Sequence, residues 1–164
     1  MTSPSDAPAT ADLCDAHGDA VRVLALPLRD YGGRVAFGGA VSTVRAFEDN
    51  SRVREAVDEP GNGRVLVVDG GGSLRRSMLG DQLAQSAARN GWAGVVVIGA
   101  IRDAAVIATL PLGVKALGTC PRKTDKRGIG ERDVALEVGG LLVRPGEWLW
   151  ADADGVVLAD ALPG

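Results

Sequence analysis

Two stretches decide the fold: RVLVVDG from Arg64 to Gly70, and GVVVIGA from Gly94 to Ala100. Each is a run rich in β-branched residues with no polar alternation. A strand that is apolar on both faces must be covered on both faces, as in a parallel or mixed sheet under helices. Between the two runs, LAQSAARNG (Leu83 to Gly91) places Leu83, Ala84, Ala87 and Ala88 on one helical face. A helix is expected to start around Leu79 to Asp81 and to end at Gly91, in the position after the C-cap that glycine favours. A second, shorter helix is expected from Arg102-Asp103 through AAVIATL. Strand, loop, helix, strand, loop, helix predicts an α/β sandwich with parallel strands joined by right-handed crossovers. Both strand-to-helix loops then lie at the same carboxyl-end edge of the sheet.

Outward from this unit, TADLCDAHG (Thr10 to Gly18) reads as a short helix capped by Thr10, and VRVLAL (Val21 to Leu26) as a strand stopped by Pro27. RVAFGGAV and STVRAFED form a further extended stretch. Asn50 or Ser51 is expected to cap a helix over RVREAVDE that ends at Pro60-Gly61-Asn62-Gly63. The last third breaks into short apolar pieces (VALEV, LLVRP, EWLWA, GVVLA) separated by Gly-Gly, Pro-Gly and Asp-Gly, the pattern of antiparallel strands joined by tight turns. PRKTDKRGIGERD, Pro121 to Asp133, is the most charged loop. It reads as a mobile, solvated surface segment, with a place at a subunit or substrate interface as the alternative. Residues 1–9 are expected to be a disordered tail, and residues 10–164 a single domain.

With 164 residues the chain can bury an ordinary hydrophobic core without staples. Its 18 Lys+Arg against 21 Asp+Glu leave a net charge of −3, which provides no field for direct nucleic-acid binding. Cys14 and Cys120 lie far apart, with no C-x-x-C spacing and no secretory leader, so reduced thiols and a cytoplasmic location are expected. No apolar run approaches the ~18 residues of a membrane span. His17 is the only histidine, so a histidine-based zinc site or a Ser-His-Asp triad would rest on one residue. Any metal is therefore expected to be a hard ion held by carboxylates. The compositional excess is glycine, 23 residues without a collagen-like period, which points to turns and close backbone approaches.

The carboxyl-end loops carry the candidate chemistry. Asp81 follows Gly80 on the first, Asp103 follows Arg102 on the second, and residues 82 to 101 separate Asp81 from Arg102. Two carboxylates with an arginine suit a weakly held divalent cation whose substrate brings its own carboxylate: acids and waters hold the ion, and the guanidinium grips the carboxylate in a fork. Spacing alone equally allows helix-start acids and a surface ion pair. DGGGS (Asp69 to Ser73) lacks the G-x-G-x-x-G and P-loop patterns and reads first as a tight turn, with cofactor binding as the weaker reading. Arg75-Arg76 reads as solvated or as steering an anion. ADADG (Ala151 to Gly155) is too short for an EF-hand loop and reads as a turn.

An ordered series of motifs runs along nearly the whole chain: TADLCDAHG, FGGAVSTVRAFEDN, VVDGGGSLRRSMLGDQLA, NGWAGVVVIGAIRD, GVKALGTCPRK, GERDV and ADADGVVLAD. In these the sequence resembles the RraA-like family (regulator of ribonuclease activity A), which is related to the class II 4-hydroxy-4-methyl-2-oxoglutarate aldolases and oxaloacetate decarboxylases. The resemblance implies a three-layer α/β/α sandwich with a mixed sheet and C-terminal antiparallel hairpins, assembled as a homotrimer with pockets between subunits. The lyase members carry a D-x₂₀-R-D pattern, which falls here on Asp81, Arg102 and Asp103. By that resemblance Asp103 ligates Mg²⁺ or Mn²⁺ directly, Asp81 acts through a metal-bound water, and Arg102 holds the pyruvyl carboxylate. Gly80 and the backbone N–H groups of Gln82 and Leu83 complete the substrate-binding set.

The implied activity is that of a carbon-carbon lyase on small 2-keto acids. Oxaloacetate decarboxylation and retro-aldol cleavage of 4-hydroxy-4-methyl-2-oxoglutarate share an enolate that a divalent ion stabilises, and both yield pyruvate. The aldol cleavage additionally needs a base, taken as metal-bound water, for the C4 hydroxyl proton. Dedicated aldolases are longer, and their C-terminal segment brings an acid from the adjacent subunit. This chain stops at Gly164, so decarboxylation is the more strongly expected activity. Regulator-type members bind and inhibit a ribonuclease E-type endoribonuclease and can lack the second acid. A non-catalytic regulator is therefore the alternative, and retention of both Asp81 and Asp103 favours the metal site.

Overall fold

The computed structural model describes residues 7–162, so the first six residues of the expected tail lie outside the described residues. In chain order the elements are α1 (Thr10–His17, followed by a 3₁₀ turn Gly18–Ala20), β1 (Arg22–Val23), β2 (Arg29–Asp30), β3 (Phe37–Arg45), α2 (Ser51–Asp58), β4 (Val65–Asp69), β5 (Ser77–Leu79), α3 (Asp81–Arg89), β6 (Gly94–Ile101), α4 (Ala104–Ile107), β7 (Gly113–Thr119), β8 (Glu131–Arg132), β9 (Leu136–Val138), β10 (Leu141–Val143), β11 (Trp148–Asp152) and β12 (Gly155–Ala159). No helix among the described residues is long and apolar enough to cross a membrane.

The two deciding stretches become β4 and β6, neighbours in one parallel register with Val65 beside Gly94 and Val67 beside Val96. β3 and β7 flank them, also parallel, giving the order β3-β4-β6-β7. Their apolar runs are buried on both faces, as the absence of alternation requires. Leu66, Val68, Val95 and Val97 pack under α2, α3 and α4 against Val53, Ala56, Ala84, Ala87 and Ile107. The alternate residues Val65, Val67, Val96 and Ile98 enter a second core with Leu136, Val138, Val143, Leu149 and Leu158. Each such Val or Leu contributes roughly 1.5–3 kcal/mol of apolar burial, so the double-faced centre is the main stabilising feature.

The second core is closed by the C-terminal strands. β11 pairs antiparallel with β3 and with β12, and β12 with β1, so the mixed sheet curls past its parallel centre. β9 and β10 form a separate antiparallel hairpin turning at Gly139-Gly140. On the outer face of β11 and β12, Trp150, Val157 and Ala159 meet Leu13 of α1, so helices lie on both sides of the α/β fold. The expected turn at ADADG joins β11 to β12.

Several local expectations are corrected. The strand expected over Val21–Leu26 shortens to β1, although the Leu24 N–H still bonds Val156 O at 2.9 Å. Thr10 does not cap α1. Ala9 stands at its N-cap without a side-chain acceptor, and Asp152 from β11 takes both the Thr10 N–H (2.8 Å) and its hydroxyl (2.7 Å). A distant carboxylate thus meets the positive end of the helix. Asn50 stands at the N-cap of α2 as expected but makes no side-chain cap bond; Asp49 accepts the Ser51 N–H (2.9 Å) and hydroxyl (2.6 Å), while Asn50 Oδ1 accepts the Thr124 hydroxyl. The charged loop from Pro121 to Asp133 is tied down rather than free. Thr124 is 2% exposed, Asp49 Oδ2 accepts the Arg127 N–H at 2.6 Å, and Ser77 N–H bonds Arg122 O at 2.7 Å.

Candidate functional site at the carboxyl edge of the parallel sheet

β5 was not legible in the sequence, and it positions the site. It pairs parallel with the end of β6 and delivers Gly80 to the N-terminus of α3, beside the point where β6 releases Arg102 and Asp103. The Arg102 N–H bonds Leu79 O at 2.9 Å, locking the two loops together. Gly80 is extended (φ −117°, ψ −171°), so any residue fits its backbone. What selects glycine is space: a Cβ there would lie 3.0 Å from Asp103 Oδ2 and 3.3 Å from Arg102 Nε.

The structure therefore brings Asp81, Arg102 and Asp103 together around Gly80. Asp103 Oδ2 accepts the Asp81 N–H at 3.0 Å, and Arg102 Nε lies 3.9 Å from the same oxygen. The helix-start reading of Asp103 thus holds in an unexpected form, because its carboxylate caps α3 rather than its own helix. Asp103 itself is left-handed (φ 58°, ψ 40°), one of four non-glycine residues with positive φ among the described residues. Such a conformation costs energy and clusters at functional sites. Asp81 Oδ1 accepts the Gln82 N–H at 2.8 Å, so this expected substrate donor is already engaged by Asp81. The Leu83 N–H lies in the first turn of α3, ahead of the Ala84 N–H that makes the first bond, back to Gly80 O. It has no intrahelical partner.

Gly80, Asp81, Gln82, Leu83 and Arg102 line a cleft of about 240 Å³, which Ser77 and Ser86 also border. Further lining residues were missed by the sequence reading: Arg54 and Asp58 from α2, with Lys123 and Lys126 from the charged loop. The two lysines lie in the loop that the Asp49 and Thr124 bonds pin. The one local signal was Asp49 two residues ahead of Ser51, the spacing of an Asx turn. Burial pushes the Asp49 carboxyl up, but the hydrogen bonds from Ser51, Arg127 and Ile129 outweigh it and hold its pKa at about 2.

The other glycine-rich and arginine features are structural. The Gly70 and Gly72 N–H groups bond Ile98 O (3.1 and 3.0 Å) and Gly71 N–H bonds Asp69 Oδ1 (2.9 Å), so DGGGS holds few donors for a phosphate or cofactor. Arg75 forks onto Glu48 (2.9 and 3.1 Å), and Arg76 bonds Lys123 O at 3.1 Å.

The donor set fits a divalent cation of one kind. Among the described residues no group of three or more His, Cys, Asp or Glu forms a cage. One or two carboxylates, with the remaining positions left to water and substrate, is the usual environment of Mg²⁺ and closely related hard ions. Asp103 has one oxygen engaged by the Asp81 N–H, and its other oxygen has no hydrogen-bond partner among the described residues.

The comparisons agree with this architecture. The family model described as "RraA-like: Aldolase/RraA" matches residues 10–158. A protein of Alkalilimnicola ehrlichii named "Putative 4-hydroxy-4-methyl-2-oxoglutarate aldolase" is 59% identical over 150 residues, covering 92% of this chain and 93% of that protein. A solved structure from Geobacillus kaustophilus, described as S-adenosylmethionine: 2-dimethylmenaquinone methyltransferase, superposes with a TM-score of 0.93 at 52% identity, covering 94% of this chain and 96% of that one. The RNA-processing inhibitor RraA from Thermus thermophilis gives a TM-score of 0.93 at 46% identity, covering 96% and 95%. With its parallel centre, its Gly80 cradle and these matches over nearly its whole length, the chain belongs to the RraA-like, Aldolase/RraA family.

Proposed function

We propose that the protein is a divalent-metal-dependent lyase for small 2-keto acids. It would decarboxylate oxaloacetate, cleave 4-hydroxy-4-methyl-2-oxoglutarate, or do both, releasing pyruvate. The observation that carries this reading is the Gly80 cradle, where a missing side chain admits a carboxylate and a guanidinium to one helix N-terminus. Arg102 grips the substrate's C1 carboxylate in a fork, and the Leu83 N–H adds a backbone donor at the positive end of α3. Asp103, with Asp81 acting through water, would hold Mg²⁺ or Mn²⁺. When bound, such an ion supplies electrostatic stabilisation to the negative charge developing on the 2-keto oxygen. Arg54, Lys123 and Lys126 line the same cleft and outnumber its Asp58, so they would meet the second carboxylate of a dicarboxylic substrate. Phe47 and Leu74 are 51% and 52% exposed beside this edge, in keeping with a homotrimer whose neighbouring subunit covers them.

The test is pyruvate release from oxaloacetate with and without Mg²⁺, above the rate of the metal alone, repeated with Asp103→Ala. A metal-dependent excess that the variant loses is expected; no excess, or full retention in the variant, overturns the proposal. A second reading rests on the likeness to the RNA-processing inhibitor from Thermus: a non-catalytic partner of an endoribonuclease. Inhibition of a ribonuclease E-type enzyme that survives Asp103→Ala, in a protein that releases no pyruvate, would favour it.

A further inference from the structure

At the amino-end edge of the parallel sheet, away from Gly80, a second cleft of about 660 Å³ opens between the starts of β3, β4, β6 and β7 and the outer face of β11. The chain has six aromatic residues, and four of them line this one cleft: Phe37, Trp92, Trp148 and Trp150. The rings of Trp148 and Trp150 stack with centroids 6.0 Å apart. Phe37, Trp92 and Trp150 are buried in the hydrophobic cores behind the cleft, and Trp148 remains partly exposed at its surface. A volume between roughly 300 and 1,000 Å³, apolar walls and a few polar groups are the usual attributes of a small-molecule site.

Charge identifies the ligand class. Among the described residues no acidic side chain lines the cleft, whereas Arg34 and His17 do. The Arg34 backbone is fixed by its N–H to Leu112 O (3.2 Å) and a bridge to Gly113. Its guanidinium enters no ion pair among the described residues. A half-buried arginine in a cleft lined by tryptophans, with no acidic side chain among its described lining residues, complements an anion carried on a flat apolar body.

We propose that this cleft is a second binding site, separate from the 2-keto acid site, for a small aromatic carboxylate. The ring would pack against the partly exposed Trp148, and the carboxylate would take the Arg34 fork. The test is fluorescence titration of the full chain with benzoate. Every tryptophan of the chain lines the cleft, so the whole signal reports on it. Saturable quenching in the millimolar range is expected, weakened about tenfold in Arg34→Gln and about tenfold for uncharged benzamide. Equal binding of benzoate and benzamide, an unchanged midpoint in Arg34→Gln, or no saturable quenching overturns the proposal. Should Arg34→Gln fail to fold, the benzoate and benzamide comparison on the unaltered chain still decides. Sedimentation that shifts in Arg34→Gln, with no benzoate response in the parent, would instead assign the cleft to a contact between copies and equally overturn it.

Discussion

Replacing Gly80 by alanine adds one methyl group and separates the fold from the chemistry. The backbone there is extended, so alanine introduces no conformational strain. Glycine is a better N-cap than alanine, which costs up to about 1 kcal/mol, while restricting the unfolded chain returns about 0.4–1 kcal/mol. Net stability should stay within about 1 kcal/mol, a melting shift of roughly 2–4 °C at most for a chain of this size. The new Cβ, however, falls 3.0 Å from Asp103 Oδ2 and 3.3 Å from Arg102 Nε. The carboxylate must retreat by a few tenths of an ångström, away from the Asp81 N–H that it now accepts at 3.0 Å. The Asp103 backbone, held left-handed, offers little slack. A displacement of about 1 Å in a catalytic group costs on the order of 10²-fold, so a tenfold to hundredfold loss of rate is expected from this smaller one. The assay is pyruvate release from oxaloacetate, followed with lactate dehydrogenase at saturating Mg²⁺ against a metal-only blank, with a thermal melt in parallel. A folded Gly80→Ala protein with the parent rate would refute the cradle as the seat of the chemistry, and an unfolded one would refute the backbone argument.

Three further outcomes are expected. Arg102→Lys replaces a fork by a point charge, so KM for oxaloacetate should rise about tenfold or more with a smaller change in kcat; equal values in steady-state kinetics would remove Arg102 from carboxylate binding. The Asp49 carboxyl, near 2 when folded against 3.8 when free, stabilises the fold fully above about pH 4, and this contribution is lost as pH falls through 2. Asp49→Asn should therefore cost about 2 kcal/mol near neutral pH and flatten the acid limb of urea-unfolding profiles; an unchanged limb contradicts the assignment. A Cβ on Gly113 would stand 2.1 Å from the fully buried Phe37 ring, so Gly113→Ala should lose about 3 kcal/mol or more, part of which Phe37→Leu restores; a variant as stable as the parent in urea would show that the core yields more easily than its packing implies.

The sequence by itself determined the centre of the molecule. Unbroken apolar runs at Arg64–Gly70 and Gly94–Ala100 admit only a strand covered on both faces, and the intervening helical face has one place to go. The same logic puts Asp81, Arg102 and Asp103 at one edge, because consecutive parallel strands end on the same side. Weak local signals were misread where the partner is far along the chain. Asp152 caps α1 across 142 positions, and Asp49 pins Arg127 across 78, and neither pairing has a periodicity to betray it.

Only the tertiary structure decided what those residues do to one another. Two-residue and three-residue strands such as β2, β5 and β8 are too short for a pattern, and exist because a longer strand offers them an unpaired edge. β5 in particular sets Gly80 against Asp103, so the carboxylate expected to start its own helix caps another instead. The cations of the charged loop and the gathering of four aromatic residues at the opposite edge are likewise products of packing. A sequence records which side chains are available; distance and burial, fixed only when the sheet closes, select the ones that meet.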